Sequence, residues 1–368
     1  MMTNEDLVRI AKENDAEAFY RLWKLCFEDS DNFCDWLFQN RFFPEYSVCL
    51  ENNREMRSAM QGVPYTIRVR GKDLEGAMLC GVSTHPDHRK KGYMRKIFTF
   101  EMNLLRQKGV LLAVHTPAEL ESYFAYGHYP VADAAYIQGQ SKAQQGEGFL
   151  FFEKSRWEEL YPLYEINIGE KYSGAVRRTK DEFMRKCEDY ASDGGKCIVL
   201  QDAKVQGYAF LYLLEDEIIC PEAVANEGHY DELIKKIFSL ANGRKISVKL
   251  SPDADITCEY GEKTLRQKGV AGVCNISAIL QKLEITCPYK IEIFDPIVAE
   301  NNGIFCFDGT KASAQPAIKM EAGHFLGVLM GYVSLEDVRP LVTIYHQVGF
   351  DVINHALPKC KCYIIDEY

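Results

Sequence analysis

The sequence predicts an α/β protein of three consecutive domains, two with mixed sheets flanked by helices and a last one that is α+β. The order helices, strands, helix and strand occurs twice in succession, which supports this prediction; we call each occurrence a round. Residues 138–148 separate the rounds, since this stretch is polar and lacks large apolar side chains. Short strands in meander order follow the second round. We therefore expect domains at 1–137, 149–258 and 259–368.

The first round begins with two amphipathic helices, expected near 15–27 and 32–40, whose apolar residues recur at helical spacing. Strand-like segments over 63–70 and 74–82, on either side of a glycine turn, predict an antiparallel hairpin. A third helix follows and is expected to end at Gly109. The short apolar run after it suits a buried parallel strand.

The segment from Val82 to Arg95 joins the hairpin to the third helix and is basic. Residues 85–96 carry five formal cations against one acid, in a chain with a net charge of -10. A strand that runs through a glycine-containing turn into a helix offers free backbone N–H groups, which bind phosphate oxygens. Gly92 lets the backbone approach the anion. The pattern predicts a pyrophosphate cradle for a small ligand rather than for nucleic acid, which needs a broad basic face. A solvated charge run is the alternative.

The spacing Arg89-x-x-Gly92-x-Met94, after Pro86, resembles the acetyl-CoA-binding motif of the GNAT acetyltransferases. That motif usually ends in Gly or Ala, and a larger apolar residue at this position is familiar in the branch that resembles the Eis (enhanced intracellular survival) proteins. The resemblance implies acetyl-CoA as co-substrate. It also implies the residues that bind its pantetheine arm, Val82, Ser83 and Thr84, and its pyrophosphate, Arg89, Lys90, Lys91, Gly92, Tyr93, Met94 and Arg95.

A second motif, Ser-Tyr-Phe-Ala-Tyr-Gly-His-Tyr at 122–129, reads as a short helix that ends at a glycine before a strand. It resembles the GNAT segment with the catalytic tyrosine, which implies Tyr123 as the general acid for the departing CoA thiolate. The alternative is an aromatic that fills the core and keeps its hydroxyl wet. The family often has a small hydroxyl residue five positions earlier and an arginine two positions later, where this chain has Ala118 and Ala125.

The second round lacks the anion cradle, because residues 224–228 enter its helix with an acid and no cation. We interpret 149–258 as a degenerate GNAT-like domain that scaffolds or helps to form the acceptor pocket, with an unrelated α/β insert as the alternative. The third domain resembles the sterol-carrier-like domain of Eis-type proteins, and we favour a structural role over lipid binding. Its expected elements are strands at 289–295, 303–308 and 317–321 and a helix near 335–345.

The chain ends in an apolar, strand-like run that stops on Tyr368. Termini fray unless they are docked, so this run predicts docking. In Eis-type proteins the final aromatic residue supplies its α-carboxylate as general base, and the resemblance implies that role for Tyr368, directly or through water. An α-carboxyl ordinarily has a pKa of about 3.5, so burial or a water relay has to assist it. A docked but inert end is the alternative.

Composition restricts the remaining possibilities. The sequence has thirteen scattered cysteines and starts without a leader, which predicts reduced thiols and a cytoplasmic location. Cys360 and Cys362 are one residue short of the usual metal spacing, so we expect no metal. No apolar run is long enough for a membrane span. The resemblance implies a homo-oligomer, a hexamer in that family.

The sequence therefore predicts an acetyl-CoA-dependent N-acetyltransferase that acts by direct transfer to a primary amine. Asp29, Asp31 and Asp35 beside the connection of the first two helices suit a small cationic acceptor. By resemblance this acceptor is an aminoglycoside or a polyamine. The alternatives are a non-catalytic CoA- or lipid-binding regulatory protein, and a tandem-GNAT acyltransferase for a different acyl group.

Overall fold

The computed structural model describes residues 6–140, 151–257 and 261–367. Their strands are β1 Leu7–Ile10, β2 Ser47–Asn52, β3 Glu55–Val69, β4 Lys72–Thr84, β5 Leu112–His115, β6 Tyr129–Gln140, β7 Lys196–Gln201, β8 Val205–Leu213, β9 Glu217–Ala225, β10 Lys245–Leu250, β11 Glu262–Val273, β12 Lys290–Phe294, β13 Gly303–Cys306, β14 Lys311–Ala312, β15 Ile318–Glu321 and β16 Thr343–Ile344. Their α-helices are α1 Ala16–Cys26, α2 Asp31–Asn40, α3 Tyr93–Gln107, α4 Tyr161–Tyr164, α5 Lys180–Ser192, α6 Tyr230–Phe238, α7 Ile276–Leu283, α8 Ala322–Met330 and α9 Gln347–Ala356.

The first eleven strands form one mixed sheet in the order β1-β2-β3-β4-β5-β11-β6-β10-β9-β8-β7. Alternate residues of β4 face opposite sides, as the pleat of a strand requires. Met78 packs in the cluster with Trp23 of α1 and Leu37 of α2, whereas Ala77 packs with Phe98 of α3. Helices thus cover both faces, and the predicted α/β class with mixed sheets is confirmed.

Strand β11 follows the second round in sequence but lies between β5 and β6, antiparallel to both. Strand β6 in turn pairs with β10. The two rounds therefore share one sheet, and the domain bounds at 137 and 259 stay predictions. Residues 138–140 of the expected linker complete β6, and the rest of that linker lies outside the described residues.

The last part of the chain forms a five-stranded sheet in the order β14-β13-β12-β15-β16. Its core residues Ile291 and Phe325 belong to the same apolar cluster as Val114 of β5, so it packs directly on the large sheet. Helix α8 is buried except at His324, and Arg70 donates to two carbonyls of its last turn, those of Val328 (2.9 Å) and Leu329 (2.6 Å).

The prediction of a helix near 335–345 is wrong. This stretch consists of turns, a short 3-10 helix at Arg339–Leu341 and β16, which pairs with β15. Pro340 removes a backbone donor, and the following helix α9 starts only after His346, whose Nδ1 accepts from Gly349 N at 3.0 Å. In the described parts of the chain no helix has the length and apolarity to cross a membrane.

Candidate active site

Strands β4 and β5 separate at the centre of the large sheet. They pair in parallel over Gly76–Met78 and Leu112–Val114, and β4 then continues to Thr84 without this partner. A bulge bends β4 beyond the last pair, since Gly81 and Val82 together lie opposite Met60 of β3. Gly81 has a φ of 58°, and the Trp23 ring leaves no room for a side chain there. The result is a wedge-shaped gap between β4 and β5 in the sheet.

Two adjoining cavities, of about 680 and 480 Å³, occupy this wedge. They share the side chains of Phe27, Val82, Met94, Glu119 and Ser122. We call the larger one the anion cavity, because it contains the basic turn, and the smaller one the acceptor cavity. A ligand can therefore pass from one to the other along β4.

The anion cavity lies at the N-terminus of α3. Gly92 caps this 15-residue helix with a φ of 76°, and no atom lies within 4 Å of the place where its side chain would be. Glycine is thus needed here for the backbone conformation, and the open space in front of it is accessible to a ligand. The first N–H groups of α3 have no acceptor within the helix, and Arg89 and Lys90 line the same space. This arrangement fits a pyrophosphate.

The structure brings most of the predicted co-substrate residues together. Those that line the anion cavity are Val82, Ser83, Thr84, Arg89, Lys90, Gly92, Tyr93 and Met94. Lys91 instead lies at the surface, with Nζ 3.3 Å from His88 Nδ1. Arg95 is not part of the lining; it donates to the carbonyl of Ala125 at 3.1 Å, and its guanidinium lies 5.2 Å from the centre of the ring of Tyr126, which borders the cavity.

Tyr123 lines the acceptor cavity. It lies in the 3-10 helix Leu120–Tyr126, which ends at Gly127 with a φ of 72°, so the predicted helix, glycine and strand are present. Its ring meets the His115 ring edge-on at a centroid distance of 4.3 Å. Burial, and secondly the neighbouring Tyr126, raise the pKa of Tyr123 to about 12. The phenol therefore keeps its proton throughout the neutral range.

Two histidines lie beside Tyr123 that the sequence motifs do not predict as part of the site. His115 ends β5 and lines the acceptor cavity, and its Nε2 lies 3.0 Å from Nδ1 of His128. Both rings are buried, and burial lowers the pKa of His128 to about 3 and that of His115 well below its ordinary value. Both rings are consequently neutral at physiological pH, so one donates and the other accepts. The signal in the sequence was a polar residue at the end of an apolar strand.

The acceptor cavity is acidic and aromatic. Asp29 and Glu119 line it together with Trp23 and Phe27, and its described lining contains neither lysine nor arginine. Trp23 Nε1 donates to Asp29 Oδ2 at 2.8 Å, which fixes that carboxylate. Asp31, by contrast, pairs with Lys24 at 2.9 Å outside the cavity. Only part of the predicted acidic cluster therefore faces the site, and its field favours a cation.

The C-terminal tail, residues 361–367, docks as predicted up to its last described residue. Tyr363, Ile364 and Ile365 are buried, and Cys362 bridges to Ser173. The carbonyl of Asp366 lies 3.5 Å from Thr116 Oγ1, and Thr116 lines the acceptor cavity. Tyr368 itself lies outside the described residues.

Within the described ranges, no group of three or more His, Cys, Asp or Glu side chains is arranged to hold a metal ion.

Residues 7–132 match the sequence profile described as acetyltransferase (GNAT) domain. This part of the chain is a GNAT acetyltransferase domain. It includes the whole basic turn as well as Tyr123, and the chain is therefore an acyltransferase. GNAT domains use acetyl-CoA as co-substrate, which agrees with the character of the anion cavity. No curated protein sequence matches the chain.

Solved structures share the fold over nearly the whole chain. A probable N-acyltransferase of Enterococcus faecalis, a conserved protein of unknown function, is 15% identical with a TM-score of 0.81 and covers 99% of this chain and 100% of its own. Eis1 of Mycobacterium abscessus is 14% identical with a TM-score of 0.74, at the same coverage. A GCN5-related N-acetyltransferase of Anabaena variabilis is 14% identical with a TM-score of 0.76, again covering 99% and 100%. The arrangement around the GNAT domain is thus a shared one.

Proposed function

We propose that the protein transfers acetyl directly from acetyl-CoA to a primary amine of a small cationic molecule. One observation carries this proposal: the wedge between β4 and β5 has a basic helix N-terminus that fits a pyrophosphate at one end and an acidic, aromatic cavity at the other. Tyr123 lies in the lining of the second cavity, where the thioester of a CoA that followed β4 would arrive. The two substrates then meet where the two cavities adjoin.

Binding of acetyl-CoA uses the backbone of β4 beyond its last pair with β5. Residues 82–84 lack the β5 partner and can pair with the amide groups of the pantetheine arm. Arg89, Lys90 and the first N–H groups of α3 hold the pyrophosphate. Lys91 and Arg95 contribute to the positive field around it.

Tyr123 acts as the general acid. A phenol with a pKa of about 12 remains protonated but is a weaker acid than a thiol. Its main contribution is therefore a hydrogen bond to the sulfur as negative charge develops there, with the proton following. The low polarity that raises the pKa also strengthens this hydrogen bond.

The α-carboxylate of Tyr368 acts as the general base, directly or through water. The described tail supports this role, because it is buried up to Ile365 and Asp366, whose carbonyl contacts Thr116 at the acceptor cavity. An ammonium acceptor first releases one proton through this base. The amine nitrogen then bonds to the acetyl carbon, the carbon–sulfur bond breaks, the nitrogen loses a second proton and the sulfur gains one. The products are the amide, CoA with a free thiol and one proton.

The acceptor class follows from Asp29 and Glu119, which attract an ammonium group, and from Trp23 and Phe27, whose rings can contact a cation or an apolar ring. An aminoglycoside or a polyamine satisfies both features.

The rest of the chain serves this site. We propose a degenerate GNAT-like second domain, because its strand-to-helix loop lacks a cradle: Asn226 N donates to Gln206 O at 2.8 Å instead of facing a ligand. The last domain, of sterol-carrier-like outline, packs under the large sheet and takes a structural role. A cytoplasmic homo-oligomer, a hexamer by family resemblance, completes the proposal.

Release of the CoA thiol from acetyl-CoA, measured with a panel of kanamycin, neomycin, spermidine and lysine, tests the function. We expect at least one polyamine-like member to raise the rate well above the amine-free control. No stimulation by any amine, with acetyl-CoA still bound, would favour a CoA-binding regulatory protein. Faster release from a longer acyl-CoA would instead indicate transfer of a different acyl group.

A further inference from the structure

The C-terminal tail is held by a buried ionic network from the second round of the chain. Arg178 donates to Asp366 Oδ1 from Nε at 3.0 Å and binds Glu222 through both of its terminal nitrogens, at 3.1 and 2.8 Å. The side chains of all three are at most 1% exposed. Glu222 also accepts from Tyr208 at 2.7 Å and from Tyr190 at 3.1 Å. Asp366 is thus tied through Arg178 to Glu222 of β9.

Two lysines hold the next residue. Lys249 of β10 is 4% exposed, donates to the carbonyl of Ile365 at 2.8 Å and pairs with the carboxylate of Glu367. Lys186 of α5 donates to the carbonyl of Glu367 at 3.0 Å and pairs with Asp189 at 2.6 Å. These bonds reach backbone atoms of the tail, so they fix its path and not only its side chains.

The position of these ions along the tail is informative. Tyr363, Ile364 and Ile365 already bury the tail by apolar packing. Charges taken out of water add little net stability compared with apolar residues of equal volume, but they impose one geometry. The buried cations contact residues 365–367, next to the acceptor cavity. At this end of the tail the ionic contacts therefore serve to fix the geometry of the backbone rather than to strengthen its docking.

The network is also balanced in charge. Its cations are Arg178, Lys186, Lys249 and Lys268, and its carboxylates are Asp189, Glu222, Asp366 and Glu367. Among the described residues, the ion pairs of this network thus comprise four charges of each sign.

We propose that Arg178, Lys186 and Lys249 are positioning residues for the general base: the second round of the chain, which lacks a phosphate cradle of its own, serves to aim the C-terminal carboxylate at the acceptor cavity. This inference rests on the proposed function, in which Tyr368 supplies that base.

A double-mutant cycle tests the proposal in the full chain. The variants are Lys249→Met, deletion of Tyr368 and both together, assayed with acetyl-CoA and the most active amine of the panel. We expect Lys249→Met to lower kcat about tenfold or more with KM for acetyl-CoA changed less than about twofold, and to have no further effect once Tyr368 is deleted. Lys249→Arg, which retains the charge, should recover part of the loss.

Lys361→Met is the matched control, since Lys361 pairs with Asp253 at 2.6 Å at the other end of the same tail and is 61% exposed. It should leave kcat unchanged. If Lys249→Met lowers kcat equally with and without Tyr368, Lys249 only stabilises the fold. In that case the inference fails, while the proposed base stands. Wild-type kcat after deletion of Tyr368 would overturn both the inference and the proposed base.

Discussion

Nε2 of His115 lies 3.0 Å from Nδ1 of His128, and this buried pair forms the wall behind Tyr123. Protonation of either imidazole would place a charge in an apolar site, so the folded protein favours the neutral form of both rings. The pair therefore links the acid stability of the protein to the shape of its acceptor cavity.

The pair should make the fold sensitive to mild acid. Burial depresses the pKa of both rings, so below pH of about 6.5 the unfolded chain binds protons that the native state does not. Stability is complete above that pH and falls as the pH drops. Replacing His128 by Gln should reduce the slope of unfolding free energy between pH 6 and 5 by about 1.4 kcal/mol per pH unit. Urea denaturation at both pH values measures this, and an unchanged slope would show that His128 titrates normally.

Tyr123→Phe should lower kcat by about a hundredfold or more, since it removes the hydrogen bond to the departing sulfur. KM for acetyl-CoA should change little, because the phenol acts on the developing charge. Tyr126→Phe is the control. Tyr126 lies in the same 3-10 helix as Tyr123, and its ring stacks on that of Phe98 at a centroid distance of 4.8 Å, but its hydroxyl has no assigned role. Steady-state kinetics of both variants tests this prediction. Equal kcat values for the two variants would show that the Tyr123 hydroxyl has no role in the mechanism.

Gly92→Ala tests the cradle. Because Gly92 has a left-handed φ of 76°, alanine at this position should lower the free energy of unfolding by about 1 kcal/mol. The added methyl group should raise KM for acetyl-CoA several-fold. Gly71→Ala provides a close match, because Gly71 has a φ of 78° and equally no atom within 4 Å, but it lies in the β3–β4 turn. Both variants should lose similar stability in thermal unfolding, and only the first should bind acetyl-CoA more weakly in calorimetry. Equal affinities would contradict the assigned cradle.

Asp29→Asn should raise KM for a cationic amine about fivefold to tenfold, or ~1 kcal/mol, while its amide oxygen still accepts from Trp23. The effect should shrink at high salt, which screens the remaining charges. Asp31→Asn removes a nearby carboxylate that pairs with Lys24 outside the cavity, and it should leave KM as it is. Similar effects of the two substitutions would indicate a general surface potential rather than a binding contact.

Local motifs could be predicted from the sequence, and long-range pairings could not. The cradle around Gly92 and the helix of Tyr123 are contiguous segments whose residues contact one ligand, so their spacing alone carries the signal. The bond between Arg178 and Asp366 joins residues 188 positions apart, and nothing in either segment indicates the partner. The insertion of β11 is of the same kind. The misplaced helix near 335–345 has a local cause, since Pro340 was present in the sequence and outweighs the apolar pattern.

The place of β11 has a consequence for synthesis of the protein on the ribosome. Strands β5 and β6 are made early, yet the strand that joins them ends at Val273. Until then both nascent strands present unpaired backbone edges, which invite pairing with other chains. A premature stop anywhere before β11 therefore yields an aggregation-prone fragment rather than a smaller enzyme, and the GNAT domain matures only after most of the chain has emerged.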